Sequence, residues 1–298
     1  MGSLQGKVAI VTGAGRGIGR GEALLLAAEG ARVVVNDVDA EPARQVVDEI
    51  VTAGGEAVAH IGDIATWVGG EEVVSCALDT FGGMDVLVNN AGILRDGMCF
   101  NVTEDEWDDV IRVHLKGHFA PSRAAAIHWH GLAKAGQDVH GRIVNTTSES
   151  GLFGNPGQAG YSAAKAGIAS MTTVLARELK KYGVTVNAVS PRSARTRMTE
   201  AVAGGGWMQP EAGGFDAADP ENVAPVVAWL AGDDAADVSG QVLVIWGEHL
   251  SVLHGWHLVN LLSAGGKRWS IADLAARKGD LFAPAERGSK IPAMGFGS

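Results

Sequence analysis

Seven short runs along the chain are almost continuously apolar and β-branched: residues 8–12, 32–37, 57–63, 86–89, 142–146, 184–189 and 241–246. They do not alternate with polar positions, the pattern of strands buried on both faces of a parallel sheet. Between them lie segments with a 3.6-residue apolar period: 18–29, 41–53, 71–81, 104–126, 161–182 and 221–231. Strand and helix alternate from end to end, which predicts an α/β fold, a doubly wound parallel sheet of about seven strands.

Three regions depart from this rhythm. Residues 131–141 form a polar connection. Residues 192–219, with Gly204-Gly-Gly206 and Gly213-Gly214, read as a lid loop. The segment 248–298 follows the last strand. It is expected to be an extension of the 1–247 domain that closes the substrate site or packs between subunits. Within it Ser270 and Asp273 have the spacing of a helix start for 271–277.

Composition narrows the partners. The 298 residues carry a formal net charge of −10 with no basic stripe. That argues against nucleic acid and anionic membranes as partners. No apolar run approaches the ~20 residues of a membrane span. Cys76 and Cys99 are too few for a disulfide framework. The first strand starts at Lys7, leaving no room for a leader before it. The expected compartment is therefore the cytoplasm.

The run Thr12-Gly-Ala-Gly-Arg-Gly-Ile-Gly19 directly follows the first strand and opens the first helix. Gly13, Gly17 and Gly19 let the backbone approach a pyrophosphate, and the helix N-terminus, with Arg16 and Ile18, offers N–H groups and positive dipole. Asp37 ends the second strand about 20 residues on, where a carboxylate accepts hydrogen bonds from a ribose. It would repel a 2′-phosphate, which favours NAD; Arg16 in the loop pulls toward NADP. Asp63 and Ile64 end the third strand and are candidates to cap the adenine. Asn89-Asn-Ala-Gly92 ends the fourth; Asn89, Ala91 and Gly92 give the nucleotide a crossing point over the sheet edge.

Tyr161 and Lys165 stand four apart, on one helix face. A free phenol has a pKa of about 10. A cation ~4 Å away contributes roughly 4 kcal/mol at an effective dielectric of ~20, enough to lower that pKa by about three. Lys165, helped by an oxidised nicotinamide ring, is thus expected to bring Tyr161 near 7, where it moves a proton during a hydride transfer. Lys165 can also hold the nicotinamide ribose, and Ser148, at the end of the fifth strand, can bond the substrate oxygen.

Taken together, the glycine run, Asn89-Asn-Ala-Gly92, Ser148 and Tyr161-x-x-x-Lys165 resemble the short-chain dehydrogenase/reductase family, over about residues 6–247. The resemblance implies a Rossmann-type enzyme, a homodimer or homotetramer, with Ser148, Tyr161 and Lys165 catalytic. Pro191 and Thr196 match the pattern that cradles the nicotinamide amide and pyrophosphate. Val34-Val-Asn-Asp37, Ile93-Leu-Arg-Asp96, Val113-His-Leu-Lys-Gly117, Gly154-Asn-Pro-Gly-Gln-Ala159 and Arg197-Met-Thr199 are similar to the (3R)-hydroxyacyl-CoA and 17β-hydroxysteroid dehydrogenase branch.

Two positions differ from the family pattern. His114 stands where Asn is usual; that position's main-chain carbonyl helps hold a water near the lysine, so His114 either keeps this role through its backbone or is a helix-interface residue. Arg192 replaces the glycine of Pro-Gly; it either meets an anionic group of the substrate or faces solvent. Trp207, in the lid, is the aromatic candidate for substrate contact.

The reading is an NAD-dependent oxidoreductase interconverting a secondary alcohol and a ketone on a bulky apolar substrate, a 3-hydroxyacyl-CoA or a hydroxysteroid. Two rivals stay open: an NADPH-dependent 3-oxoacyl-carrier-protein reductase, and a non-catalytic nucleotide-binding protein on the same fold.

Overall fold

The computed structural model describes residues 2–192, 194–196, 214–253 and 261–282. Most of the expected lid, with Trp207, lies outside the described residues. The chain divides into two compact units, Met1–Leu253 and His254–Ser298.

Among the described residues the first unit holds eight strands: β1 (Val8–Thr12), β2 (Arg32–Asp37), β3 (Glu56–Ile61), β4 (Val86–Asn89), β5 (Arg142–Thr146), β6 (Thr185–Pro191), β7 (Val242–Trp246) and β8 (His249–Leu253). Their order is β3-β2-β1-β4-β5-β6-β7-β8. The first seven run parallel, and β8 returns antiparallel to β7. The eighth strand is a difference from the expected seven. Gly247, at φ 54°, turns the chain so that Trp246 pairs with His249. Its five residues form a mostly exposed edge and lack the unbroken apolar signal of the inner strands.

Helices cover both faces: α1 (Gly17–Ala28), α2 (Ala40–Thr52), α3 (Trp67–Phe81), α4 (Glu104–Val110), α5 (Gly117–Lys134), α6 (Glu149–Phe153), α7 (Ala159–Leu179) and α8 (Ala224–Ala231). Two cores result. Ala9 and Val11 of β1 face one side with Leu26, Val46 and Leu230; Val8 and Ile10 face the other with Val73, Trp129 and Leu175. Period-two alternation of side chains explains why both halves of each strand had to be apolar. Each such side chain contributes about 1.5–3 kcal/mol on full burial.

The expected helix 104–126 is broken into α4, a π-helical turn Ile111–Lys116, and α5. α5 runs on to Lys134, so the first part of the expected polar connection is helical. α4 starts with a capping box between Thr103 and Glu106. Among the described residues no helix is long and apolar enough to cross a membrane.

In the second unit α9 (Ile271–Ala276) starts at Ser270, whose hydroxyl accepts from Asp273 N while the Asp273 carboxylate accepts from Ser270 N, as the spacing predicted. The short α10 (Lys278–Leu281) follows.

Candidate active site

Strand order reverses between β1 and β4, and ligands of open α/β sheets sit at the carboxyl ends of strands beside such a reversal. The glycine run and the Asn89–Gly92 segment meet there. Gly13, at φ 62°, packs so closely that an added Cβ would lie 2.8 Å from Ala91 Cα. A Cβ on Gly19 would lie 2.4 Å from Asn90 Nδ2 and 2.5 Å from Gly13 O. α1 begins at Gly17 with no side-chain cap on its N–H groups and no acid in its first turn. Its dipole and free donors suit an anion.

Two residues inside the quoted motifs carry roles the sequence reading did not give them. Asn90 Nδ2 donates to Thr12 O at 3.0 Å and Gly13 O at 3.1 Å, which clamps the glycine turn to β4. Gly15 N donates to Asp37 Oδ2 at 3.0 Å, which ties the turn to β2. Arg16 pairs with Asp39 at 2.7 Å, so its charge is matched. Gly17 lies against Thr196, 3.3 Å from a built Cβ to Thr196 Cγ2.

Other nucleotide candidates also make contacts within the protein. Asp63 accepts from Ala65 N at 2.9 Å and pairs with Arg112 at 2.7 Å. The Ile64 side chain is core, beside Val73 and Leu87. Asn89 is buried and donates to Ser122 Oγ and Asn145 Oδ1, both at 2.9 Å. Ala91 N donates to the Thr12 hydroxyl at 3.2 Å. Gly92 makes room for an imidazole: a Cβ there would lie 2.4 Å from His114 Cε1.

Ser148 caps α6, its Oγ accepting from Ser150 N at 3.2 Å. Tyr161 lies in the first turn of α7, with Lys165 one turn on. Lys165 is buried and donates from Nζ to Thr146 O at 2.6 Å. Nζ lies 5.6 Å from the centre of the Tyr161 ring. The three chemical groups therefore converge where β5 gives way to α6 and α7.

Their proton affinities without the nucleotide are set first by burial. Burial pushes Tyr161 up to about 12; a hydrogen bond with Ser148 opposes this and Asp96 adds to it. Burial brings Lys165 down to about 7. Burial therefore opposes the lowering expected from Lys165 and an oxidised nicotinamide ring.

His114 sits in the π-helical turn, buried, its ring 5.1 Å from Tyr161 and edge-on. Nε2 lies 2.6 Å from Ile93 O and 3.0 Å from Ile93 N, so whether it donates to the carbonyl or accepts from the amide depends on the tautomer. Burial, then the nearby Lys165 charge, lowers its pKa to about 3, so the ring is neutral. His118 is likewise buried, and its pKa falls well below the usual value from burial and then Lys165. Both rings are buried, which fits helix residues packed at an interface within the protein.

Arg192 is partly exposed and already engaged within the protein. Its Nε donates to Glu149 Oε2 at 2.9 Å, and its guanidinium lies over Trp246 at 5.5 Å. Pro191, before it, ends β6 in register with Ile245.

A short chain dehydrogenase family model matches residues 7–205. Hydroxyacyl-CoA dehydrogenase ChsB1 of Mycobacterium tuberculosis is 48% identical over 287 residues, covering 94% of this chain and 90% of that protein. Peroxisomal multifunctional enzyme type 2 of Mus musculus is 43% identical over 244 residues, 79% of this chain but 31% of the mouse protein. The crystal structure of a short chain dehydrogenase from Mycobacterium avium superposes with a TM-score of 0.88 at 48% identity, covering 97% of this chain and 98% of that one.

Proposed function

This chain belongs to the short-chain dehydrogenase family, and from that premise we propose that it is an NAD-dependent 3-hydroxyacyl-CoA dehydrogenase. The coarser activity, NAD(P)-dependent oxidoreduction at a CH–OH group, comes with family membership. The observation that carries the reading is the convergence of Ser148, Tyr161 and Lys165 beside a glycine turn built for a pyrophosphate.

The residues present fit the nucleotide. Gly13 and Gly19 leave a cradle that a Cβ would fill, and the first turn of α1 has donors without an acidic competitor. Asp37 at the end of β2 favours a ribose over a 2′-phosphate, and Arg16, matched to Asp39, does not offset that preference.

Ser148 Oγ bonds the carbinol oxygen and orients it. Tyr161 Oη takes the hydroxyl proton. Lys165, anchored on Thr146 O, favours the phenolate when its ammonium is charged. The glycine turn, the first turn of α1 and Asp37 would hold the nucleotide, which would supply the hydride acceptor and, in its oxidised form, a positive charge that adds to that of Lys165 in favouring the phenolate. Neutral His114 adds no competing charge beside Tyr161.

An acyl-CoA substrate is supported by the 48% identity to a protein named as a hydroxyacyl-CoA dehydrogenase over 94% of this chain. The test is a panel of 3-hydroxyacyl-CoAs and hydroxysteroids with NAD and with NADP, followed by nucleotide absorbance. Turnover of the acyl-CoAs with NAD is expected. Activity confined to steroids, or a strong NADP preference, contradicts the substrate or the Asp37 argument respectively.

A further inference from the structure

A row of side chains crosses the carboxyl edge of the sheet beside Ser148. Thr146 pairs with Val189, and Thr147 N donates to Val189 O at 2.8 Å. β5 ends at Thr146, and Glu149, three residues on, is the first residue of α6. Pro191 pairs with Ile245, which sets Arg192 beside Trp246, and Trp246 pairs with His249. Arg192 Nε lies 2.9 Å from Glu149 Oε2, the guanidinium lies 5.5 Å over the Trp246 ring, and the Trp246 and His249 rings are 5.8 Å apart.

Ser148 needs an external hold. It caps a helix of five residues, too short to keep its shape alone. The next residue, Glu149, has a side chain only 6% exposed. A buried carboxylate stripped of its cation is an uncompensated charge, so this pair is costly to break.

We propose that Glu149 and Arg192 are positioning residues for Ser148: their salt bridge pins the first turn of α6 to the β6–β7 end of the sheet and so sets the Ser148 hydroxyl relative to Tyr161 and the carbinol. Arg192 is then part of the frame of the site, not an anchor for a substrate anion. The inference rests on the proposed role of Ser148.

The test uses the full chain with NAD and a 3-hydroxyacyl-CoA, comparing Glu149→Gln, Arg192→Gln, Arg192→Lys, the double Glu149→Gln/Arg192→Gln and Ser148→Ala. Thermal unfolding and NAD affinity are read alongside. Glu149→Gln is expected to lower kcat roughly tenfold to a hundredfold, the scale of a misplaced catalytic group, with NAD affinity unchanged within about twofold. Arg192→Lys, which keeps the cation, is expected to recover much of what Arg192→Gln loses. The double variant is expected to be no worse than the worse single. Wild-type kcat in Glu149→Gln with an impaired Ser148→Ala overturns this inference and spares the role of Ser148. Wild-type kcat in Ser148→Ala overturns both. Losses that add in the double variant also overturn it. If Glu149→Gln does not fold, Arg192→Lys against Arg192→Gln gives the same comparison from the other partner.

Discussion

Lys165 holds its ammonium 5.6 Å from the centre of the Tyr161 ring, and burial drives the two groups' proton affinities in opposite directions, Tyr161 up to about 12 and Lys165 down to about 7. For Lys165 the unfolded value is 10.5. Below about 7 both states are protonated and the full cost of burying the ammonium is present. Between about 7 and 10.5 the unfolded chain binds the proton that the folded chain releases, so stability rises with pH, by about 1.4 kcal/mol per pH unit. Denaturant midpoints of the nucleotide-free protein should show that rise above about 8, and Lys165→Met should remove it.

Glu22, in α1, is fully buried with neither carboxylate oxygen hydrogen-bonded, and burial raises its pKa from 4.5 to about 8. Here the folded state holds the proton longer. The group costs nothing extra below 4.5, and stability falls as pH climbs through about 8. Glu22→Gln keeps the shape and removes that slope. It should be more stable than wild type in alkaline buffer, with the advantage shrinking toward acid, as read by urea unfolding. Between about 7 and 8 the Glu22 and Lys165 slopes oppose each other, so only the single variants expose them.

His114 is held neutral, its pKa lowered from 6.5 to about 3. The unfolded chain takes up the proton first, so stability is lost as pH drops from about 6.5 toward 3. His114→Asn should flatten that acid limb while leaving alcohol oxidation within about tenfold of wild type, since the ring carries no proton in the proposed chemistry. A much larger fall in kcat would give the imidazole a direct role.

The proposed NAD preference rests on Asp37, which accepts from Gly15 N, and on Arg16 being paired with Asp39. Asp37→Ala removes the carboxylate that opposes a 2′-phosphate. The ratio of kcat/KM for NAD over NADP should fall by roughly tenfold or more, the scale of one lost charge contact. An unchanged ratio would move the discrimination elsewhere.

The sheet was legible because burial on both faces demands unbroken apolar runs, and Val8–Thr12 with Val86–Asn89 answer that demand. β8 was not, because a mostly exposed edge strand needs no such run. Ser148, Tyr161 and Lys165 could be read from spacing, since helix and strand periods carry them to one place. Their proton affinities could not, because burial depends on what packs around them, and burial outweighed the Coulomb attraction that spacing suggested. The Glu149–Arg192 pair joins the first residue of α6 to the residue after β6, which no local pattern states. Asn90 lay inside a quoted motif, but its clamp on Thr12 and Gly13 comes from the β1–β4 pairing.

The most direct test of the dehydrogenase chemistry compares the initial rate of NADH formation from a 3-hydroxyacyl-CoA by wild type and by Tyr161→Phe, with NAD affinity measured on both. The account predicts a rate loss on the order of a thousandfold, typical of removing a general acid–base, with NAD binding retained. Equal rates would contradict it.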